Sequence, residues 1–191
     1  MNGSASLFTL ASPEAQAAKR DGETEKPLRV CFVCTGNTCR SPMAEAVAND
    51  MAAKECMTLT AALPEALRAS VTPRLEAVSA GLYPCEGEPI SAHAVEALEA
   101  AAVLPTAARD YHRHTALPVH DALVEGCDLL VAMSGGHALE LAMRYPQAIQ
   151  KILCMPQAIS DPFGGDRARY QACLAEIIEG VRTLFFEEHA K

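Results

Sequence analysis

Residues 28–45, LRVCFVCTGNTCRSPMAE, constrain this chain more than any other stretch. Leu28 to Val33 is an apolar run with the composition of a buried strand. A tight polar segment follows, Cys34-Thr35-Gly36-Asn37-Thr38-Cys39-Arg40-Ser41, and then Pro42 and a helix-forming run from Met43. A strand that passes through a polar loop straight into a helix N-terminus makes an anion site. The loop amides have no partners of their own, and the helix dipole adds partial positive charge. Gly36 reads as relieving a turn that a Cβ would obstruct, and Asn37 as tolerating left-handed geometry while its side chain braces the loop. Ser41 reads as the helix N-cap and Pro42 as the first helical residue.

The chemistry follows from the ends of the loop. Cys34 opens it and Arg40 closes it, in the spacing C-x5-R. A guanidinium is a planar fork of donors that clamps two oxygens of a phosphate. Arg40, the amides and the helix end all favour the thiolate form of Cys34. A thiolate beneath a bound phosphoryl group is placed for in-line attack on phosphorus. The Ser41 hydroxyl is also in reach to donate to the sulfur. C-x5-R alone recurs by chance, and an incidental Cys and Arg in a structural turn is the competing reading. A buried strand before it and Ser-Pro with a helix after it make the pattern specific.

Attack at phosphorus needs a proton for the leaving group, and a carboxylic acid facing the loop from another strand end can supply it. Asp161-Pro162, after the fourth predicted strand, falls at the same sheet edge as Cys34. Pro162 stiffens the approach, Gly164 and Gly165 permit a close turn, and Phe163 is placed to line the entrance.

The remaining pattern supplies the frame. Residues 1–26, rich in Ser, Ala and Glu, read as a flexible tail with a transient helix at 12–20, leaving 27–191 as one domain. No basic residue precedes the short apolar patch at Leu7, Phe8 and Leu10, which argues against a secretory signal. Helices are expected at Met43–Met57, Ala92–Val103 with Ser91 as N-cap, Pro118–Glu125, from Met133-Ser134 to Arg144, and Asp166–Glu188. Strands are expected at Leu75–Ser79, Asp128–Ala132 and Lys151–Met155. Residues 104–117 read as an irregular link. The connection over 54–75, with Pro64, Pro73 and a short helical run at Glu65–Ala69, reads as an insertion. Alternating strands and helices imply an α/β fold: a single doubly wound domain with a four-stranded parallel sheet and helices on both faces.

A net charge of −8 argues against nucleic acid and anionic membrane as partners, and no apolar run approaches the length of a membrane span. The eight cysteines are scattered, several of them (Cys31, Cys127, Cys154) in apolar strand-like runs, which fits free buried thiols in a reducing cytoplasm. Cys31 and Cys34 have C-x-x-C spacing but should point to opposite faces of a strand. Cys34 and Cys39 share one compact loop, so a disulfide between them under oxidation would shield the nucleophile. His112, His114 and His120 do not have convincing metal-ligand spacing. His93 and His137 read as helix-start or surface residues, and no histidine is assigned to catalysis.

On these residues the chain resembles the low-molecular-weight phosphotyrosine phosphatase family. The resemblance implies that Cys34 is the nucleophile, Arg40 the phosphate clamp and Ser41 the loop serine, with residues 35–41 cradling the phosphate. DPFGG at 161–165 resembles the family's general-acid loop, with Asp161 as the acid. SAG at 79–81, the helix from His93, His112-Arg113 and DLLVAM at 128–133 are similar to further landmarks, so the resemblance spans about 28–188. It departs in the tail and in the 54–75 connection. The paired tyrosines that eukaryotic members carry after the acid are also missing. The implied activity is a cysteine-dependent protein phosphatase that needs no metal or cofactor. It would act on phosphorylated proteins and release inorganic phosphate.

Thr38 bears on the substrate. Classical tyrosine-specific members usually carry an apolar Ile or Leu there, whereas CTGNTCRS resembles the bacterial protein arginine phosphatases, which carry Thr. Phosphoarginine has a nitrogen–phosphorus bond and a basic guanidine leaving group. Thr38 and Asp161 suit that group better than an apolar wall, and Phe163 can stack on it. Phosphotyrosine is the alternative. An arsenate reductase would share the loop but needs closely spaced extra cysteines, and Cys85, Cys127 and Cys154 are far apart in sequence. A non-catalytic phosphate-binding module would lack the nucleophile or the acid, and both are present.

Overall fold

The apolar run at the head of the loop segment is strand β1 (Leu28–Cys34), and its side chains divide between two cores. Val30, Phe32 and Cys34 enter one, Cys31 and Val33 the other. This is the period-two alternation of an extended chain, and a strand apolar on both sides must be covered on both. Cys31 and Cys34 therefore lie on opposite faces of the sheet.

A computed structural model describes residues 26–65, 72–107 and 109–187. After β1 come α1 (Arg40–Ala61), β2 (Leu75–Gly81), α2 (Ala92–Ala100), a 3-10 turn at Tyr111–Arg113, and α3 (Asp121–Gly126). Then follow β3 (Leu129–Ala132), α4 (Gly135–Arg144), a second 3-10 segment at Pro146–Lys151, β4 (Ile152–Cys154) and α5 (Arg167–Phe185). All strand pairs are parallel, in the order β2-β1-β3-β4. Helices α1, α2 and α5 cover one face of the sheet, and α3 and α4 the other. Phe32, Met43 and Leu130 are fully enclosed, and burial of side chains of this kind contributes about 1.5–3 kcal/mol each. This is the doubly wound α/β sheet that the sequence predicts. Strand β1 has a neighbour on each side, so its carboxyl end is the switch in strand order, where a crevice opens. Register places Cys34 beside Gly81 and Val33 beside Ala132.

Several boundaries differ from expectation, for physical reasons. Helix α1 begins at Arg40 rather than Met43 and reaches Ala61 rather than Met57. Ser41 and Pro42 lie inside its first turn. Cys39 holds the N-cap position and makes no side-chain cap bond, because the Ser41 hydroxyl turns to the loop instead of to the helix amides. The helix is buried on every side from Arg40 to Asp50, not on one face alone, since it lies between the sheet and α5. Strand β2 continues two residues past Ser79 to Gly81, while β4 shrinks to Ile152–Cys154 and leaves Cys154 exposed. Helix α2 stops at Ala100, and Ala102 then turns into the left-handed region at φ 53°. Helix α3 starts only at Asp121, capped by the His120 ring, which accepts from the Leu123 amide. Cys127 ends that helix rather than lying in a strand. Helix α5 ends at Phe185, short of Glu188. The tail over 1–25 and most of the expected run at Glu65–Ala69 lie outside the described residues. Among the described residues no helix is long and apolar enough to cross a membrane.

Candidate active site

Strand β1 delivers Cys34 to the floor of the loop, where it is only 3% exposed. Its sulfur accepts the Asn37 amide at 3.3 Å and lies 3.0 Å from the Ser41 hydroxyl. Ser41 Oγ itself accepts from Asn37 Nδ2 at 3.0 Å. That bond occupies a lone pair of the serine oxygen, whose proton has two acceptors in reach, the sulfur and the Ala80 carbonyl at 3.4 Å. Ser41 thus lies within reach of the Cys34 sulfur, as the sequence predicts, and it does not cap the helix.

The loop carbonyls are turned outward. Cys34 O accepts from Leu82 N at 2.9 Å, Thr35 O from Tyr83 N at 2.9 Å, and Thr38 O from Ser91 N at 2.8 Å. Asn37 O lies 2.8 Å from His114 Nε2. In a trans peptide the next N–H points opposite to the carbonyl. The amides of Thr35, Gly36, Thr38 and Cys39 are thus left on the inner side, joined by the uncapped first turn of α1. These are the donors of an anion cradle.

Asn37 is the keystone of the loop, fully buried and in the left-handed region at φ 56°. Its Nδ2 also donates to Ser79 Oγ at 2.9 Å, and Ser79 donates to Glu45 Oε2 at 2.6 Å. Its Oδ1 accepts from Leu117 N at 2.9 Å. Burial pushes the Glu45 carboxyl up, opposed by the Ser79 bond and by Arg109. Burial pushes the His114 imidazole down, and a neutral ring still carries the Nε2 proton that the Asn37 carbonyl takes. A second histidine, His137 on α4, bonds Thr35 Oγ1 through Nε2 at 2.9 Å and the Ser134 hydroxyl through Nδ1 at 2.7 Å. Burial and then the Arg40 charge push it down, so it stays neutral with one donor and one acceptor nitrogen.

The glycine that the loop requires is Gly81, across from Cys34, rather than Gly36. A Cβ at Gly36 would meet only Thr38 Oγ1, at 3.7 Å. One at Gly81 would lie 2.8 Å from the Thr35 carbonyl oxygen and 3.2 Å from Asn37 Cβ. Gly81→Ala is therefore expected to displace the cradle. A loss of about 10²-fold in kcat/KM should accompany weaker competition by inorganic phosphate, as for other small misplacements of reacting groups. Inhibition constants for phosphate measured on both proteins check this.

Arg40 is 7% exposed, and its guanidinium donates to Asp161 Oδ2 at 2.8 Å. The predicted clamp and the predicted acid thus meet directly above the loop, although Asp161 lies seven residues beyond β4. The loop carrying Asp161 is held by contacts that sequence reading missed. Glu176 on α5 accepts from both the amide and the hydroxyl of Ser160, at 2.7 and 2.8 Å, and Arg169 bonds the Asp161 carbonyl at 3.3 Å. Gly164 takes φ +71°, and a Cβ on Gly165 would strike the Pro162 carbonyl at 2.9 Å, so both glycines of the turn are needed.

Cys34, Thr35, Gly36, Thr38, Cys39, Arg40, Asp161 and Phe163 line one cleft of about 320 Å³. Phe163 stands at its lip, 76% exposed. Of the loop residues named from sequence, Asn37 and Ser41 sit behind the lining as braces. Cys39 Sγ is 3.2 Å from the Tyr170 hydroxyl, and Cys34 and Cys39 are both free thiols. Burial and the Cys39 contact push the Tyr170 phenol up to about 12. Tyr83, Cys85 and Glu88 complete the rim; of these the sequence reading named only Cys85, as a candidate relay cysteine. Of the three cysteines named for an arsenate reductase relay, Cys85 lines this cleft, Cys127 is buried in the core on the other side of the sheet, and Cys154 is exposed.

A model of the family described as low molecular weight phosphotyrosine protein phosphatase matches residues 29–191. A protein-arginine-phosphatase of Geobacillus stearothermophilus is 32% identical over 158 residues, which cover 79% of this chain and 89% of that protein. A probable low-molecular-weight protein-tyrosine-phosphatase, EpsP of Ralstonia solanacearum, is 28% identical over 156 residues, 80% of this chain and 90% of that one. Among solved structures, a mutant of the arginine phosphatase YwlE with a phosphorylated active-site serine aligns with a TM-score of 0.66 at 29% identity. That alignment covers 82% of this chain and 93% of the other.

Proposed function

Because the chain belongs to the low-molecular-weight phosphotyrosine protein phosphatase family, we propose that it hydrolyses phosphoarginine in proteins through a phosphocysteine intermediate. The Cys34 thiolate attacks phosphorus in line, the S–P bond forms and the P–N bond breaks. The Asp161 proton goes to the departing guanidine nitrogen. Asp161, now a carboxylate, takes a proton from the water that attacks the phosphocysteine. The S–P bond breaks, and inorganic phosphate and the thiolate are released. Arg40 and the inward amides carry the charge of the equatorial oxygens throughout.

The observation that carries the mechanism is the 2.8 Å contact between Arg40 and Asp161, over a sulfur already bonded to an amide and a hydroxyl. An acid that reaches the phosphate clamp reaches the oxygen or nitrogen of a clamped phosphoryl group. Thr38 on the cleft wall supports the choice of phosphoarginine, and two arginine phosphatases among the relatives agree with it. Phosphotyrosine is the second reading, favoured by the aromatic rim of Tyr83 and Phe163, which suits a phenyl ring. The same proposal gives Cys39 a protective part. A peroxide oxidises Cys34 to the sulfenic acid, and the Cys39 sulfur then displaces hydroxide to close a disulfide.

Side-by-side kinetics on phosphoarginine and phosphotyrosine peptides test the substrate. The wild type is expected to favour phosphoarginine, and Thr38→Ile is expected to move the kcat/KM ratio towards phosphotyrosine by about tenfold or more, the scale of one well-placed polar contact. A wild-type preference for phosphotyrosine rejects the arginine reading, and an unchanged ratio in Thr38→Ile rejects the role of Thr38.

A further inference from the structure

The cleft above Cys34 is lined by one guanidinium, Arg40, and two carboxylates, Asp161 and Glu88. The second carboxylate has no part in the mechanism described. We propose that Glu88 is a specificity-determining carboxylate that selects substrates carrying positive charge on or beside the leaving group. The inference rests on the phosphatase reading and deepens its account of the leaving group.

A phosphoryl dianion gains from Arg40 and the loop amides, and it loses from any carboxylate on the same wall. Glu88 therefore weakens the site for a bare phosphate or a neutral phosphate ester. It improves the site only for a ligand that brings its own cation, as a phosphorylated guanidine does. Asp161 cannot supply that counter-charge. It must hold a proton when the first step begins, and a protonated carboxyl group is neutral. Any anionic complement to a cationic leaving group on this wall then falls to Glu88.

The mounting of Glu88 is firm. Its amide closes a turn onto the Cys85 carbonyl at 3.2 Å, with Gly87 at φ +84° in the third position, as such a turn demands. The Glu88 carbonyl accepts from Ala116 N at 2.8 Å, and the Gly87 amide donates to Ala116 O at 3.0 Å. The next residue, Pro89, bridges to Thr115. The same segment is tied to the loop at its near end, through the Leu82 and Tyr83 amides on Cys34 and Thr35. Glu88 is exposed, and no ion pair with another described residue holds its carboxylate. Its charge is thus available to a ligand.

Two aryl phosphates isolate this effect from the P–N bond: phenyl phosphate and its 4-aminomethyl derivative, which carries an ammonium group. Wild type, Glu88→Gln and Glu88→Lys are compared on both, and on phosphoarginine and phosphotyrosine peptides. The ratio of kcat/KM for the cationic over the neutral ester is expected to fall about fivefold in Glu88→Gln and further in Glu88→Lys. The change should be carried by KM and should shrink as ionic strength rises, as an exposed charge contact requires. An unchanged ratio in both variants overturns the inference. A wild-type preference for phosphotyrosine peptides overturns the arginine reading instead, and the aryl pair still reports on Glu88 because neither ester contains a guanidine.

Discussion

Cys34→Ser is expected to lose turnover of every phosphoryl substrate by about 10⁴-fold or more, while inorganic phosphate still binds. The ring around position 34 explains both halves. The Asn37 amide donates to the sulfur at 3.3 Å, and the Ser41 hydroxyl lies 3.0 Å from it. A serine hydroxyl does not ionise near neutral pH, and the partners of position 34 among the described residues, the Ser41 hydroxyl and the Asn37 amide, are not bases that would take its proton. The Ser41 oxygen already accepts from Asn37, so it has no free incentive to act as one. Nothing in the substitution touches Arg40, the outward carbonyls or the inward amides, so the cradle persists. Titration calorimetry with phosphate and a discontinuous assay with a chromogenic aryl phosphate read the two halves separately. A variant that retains activity within tenfold of wild type removes the thiolate mechanism altogether.

That the loop could be read from sequence while its supports could not is a matter of distance along the chain. Cys34, Asn37, Arg40 and Ser41 are neighbours, and the apolar strand before them fixes which way they are presented. The supports arrive from far away. His114 reaches Asn37 across 77 residues, Tyr170 reaches Cys39 across 131, and Glu176 holds Ser160, beside Asp161, from the far helix. No local pattern distinguishes these from surface or core residues. Ser79 and Gly81 were visible as a motif, but their reasons appear only when β2 lies beside β1 in register, with Gly81 facing Cys34. The misplaced start of α1 has the same origin. Ser-Pro after a loop spells a cap and first turn, and only the sulfur at 3.0 Å shows why Ser41 is used elsewhere. Asp161 was legible for the opposite reason: a Pro and two glycines mark a turn wherever they fall, and a turn at the carboxyl edge of a doubly wound sheet faces the switch point.

Asp161→Asn separates the two halves of the catalytic cycle. With a poor leaving group, the first step needs the proton, and kcat is expected to fall about 10²–10⁴-fold, the usual contribution of a positioned acid. With 4-nitrophenyl phosphate the leaving group needs little help, so phosphorylation of Cys34 proceeds more nearly as before. The second step still lacks its base, because asparagine cannot accept a proton from the attacking water. Phosphocysteine is therefore expected to accumulate. It should be visible as a pre-steady-state burst of nitrophenol and as a mass increase on Cys34 in acid-quenched protein. Stability should change little, since the lost partner of Arg40 is a half-exposed carboxylate and such pairs are screened by solvent. The pairing has a further consequence for binding. Arg40 gives up its bond to Asp161 Oδ2 in order to clamp a phosphate, and asparagine in that place competes without charge. Phosphate and vanadate should accordingly bind Asp161→Asn at least as tightly as wild type. A kcat within threefold of wild type on a poor leaving group, or a second step that keeps its rate, would show that the carboxyl group above Arg40 is neither the acid nor the base.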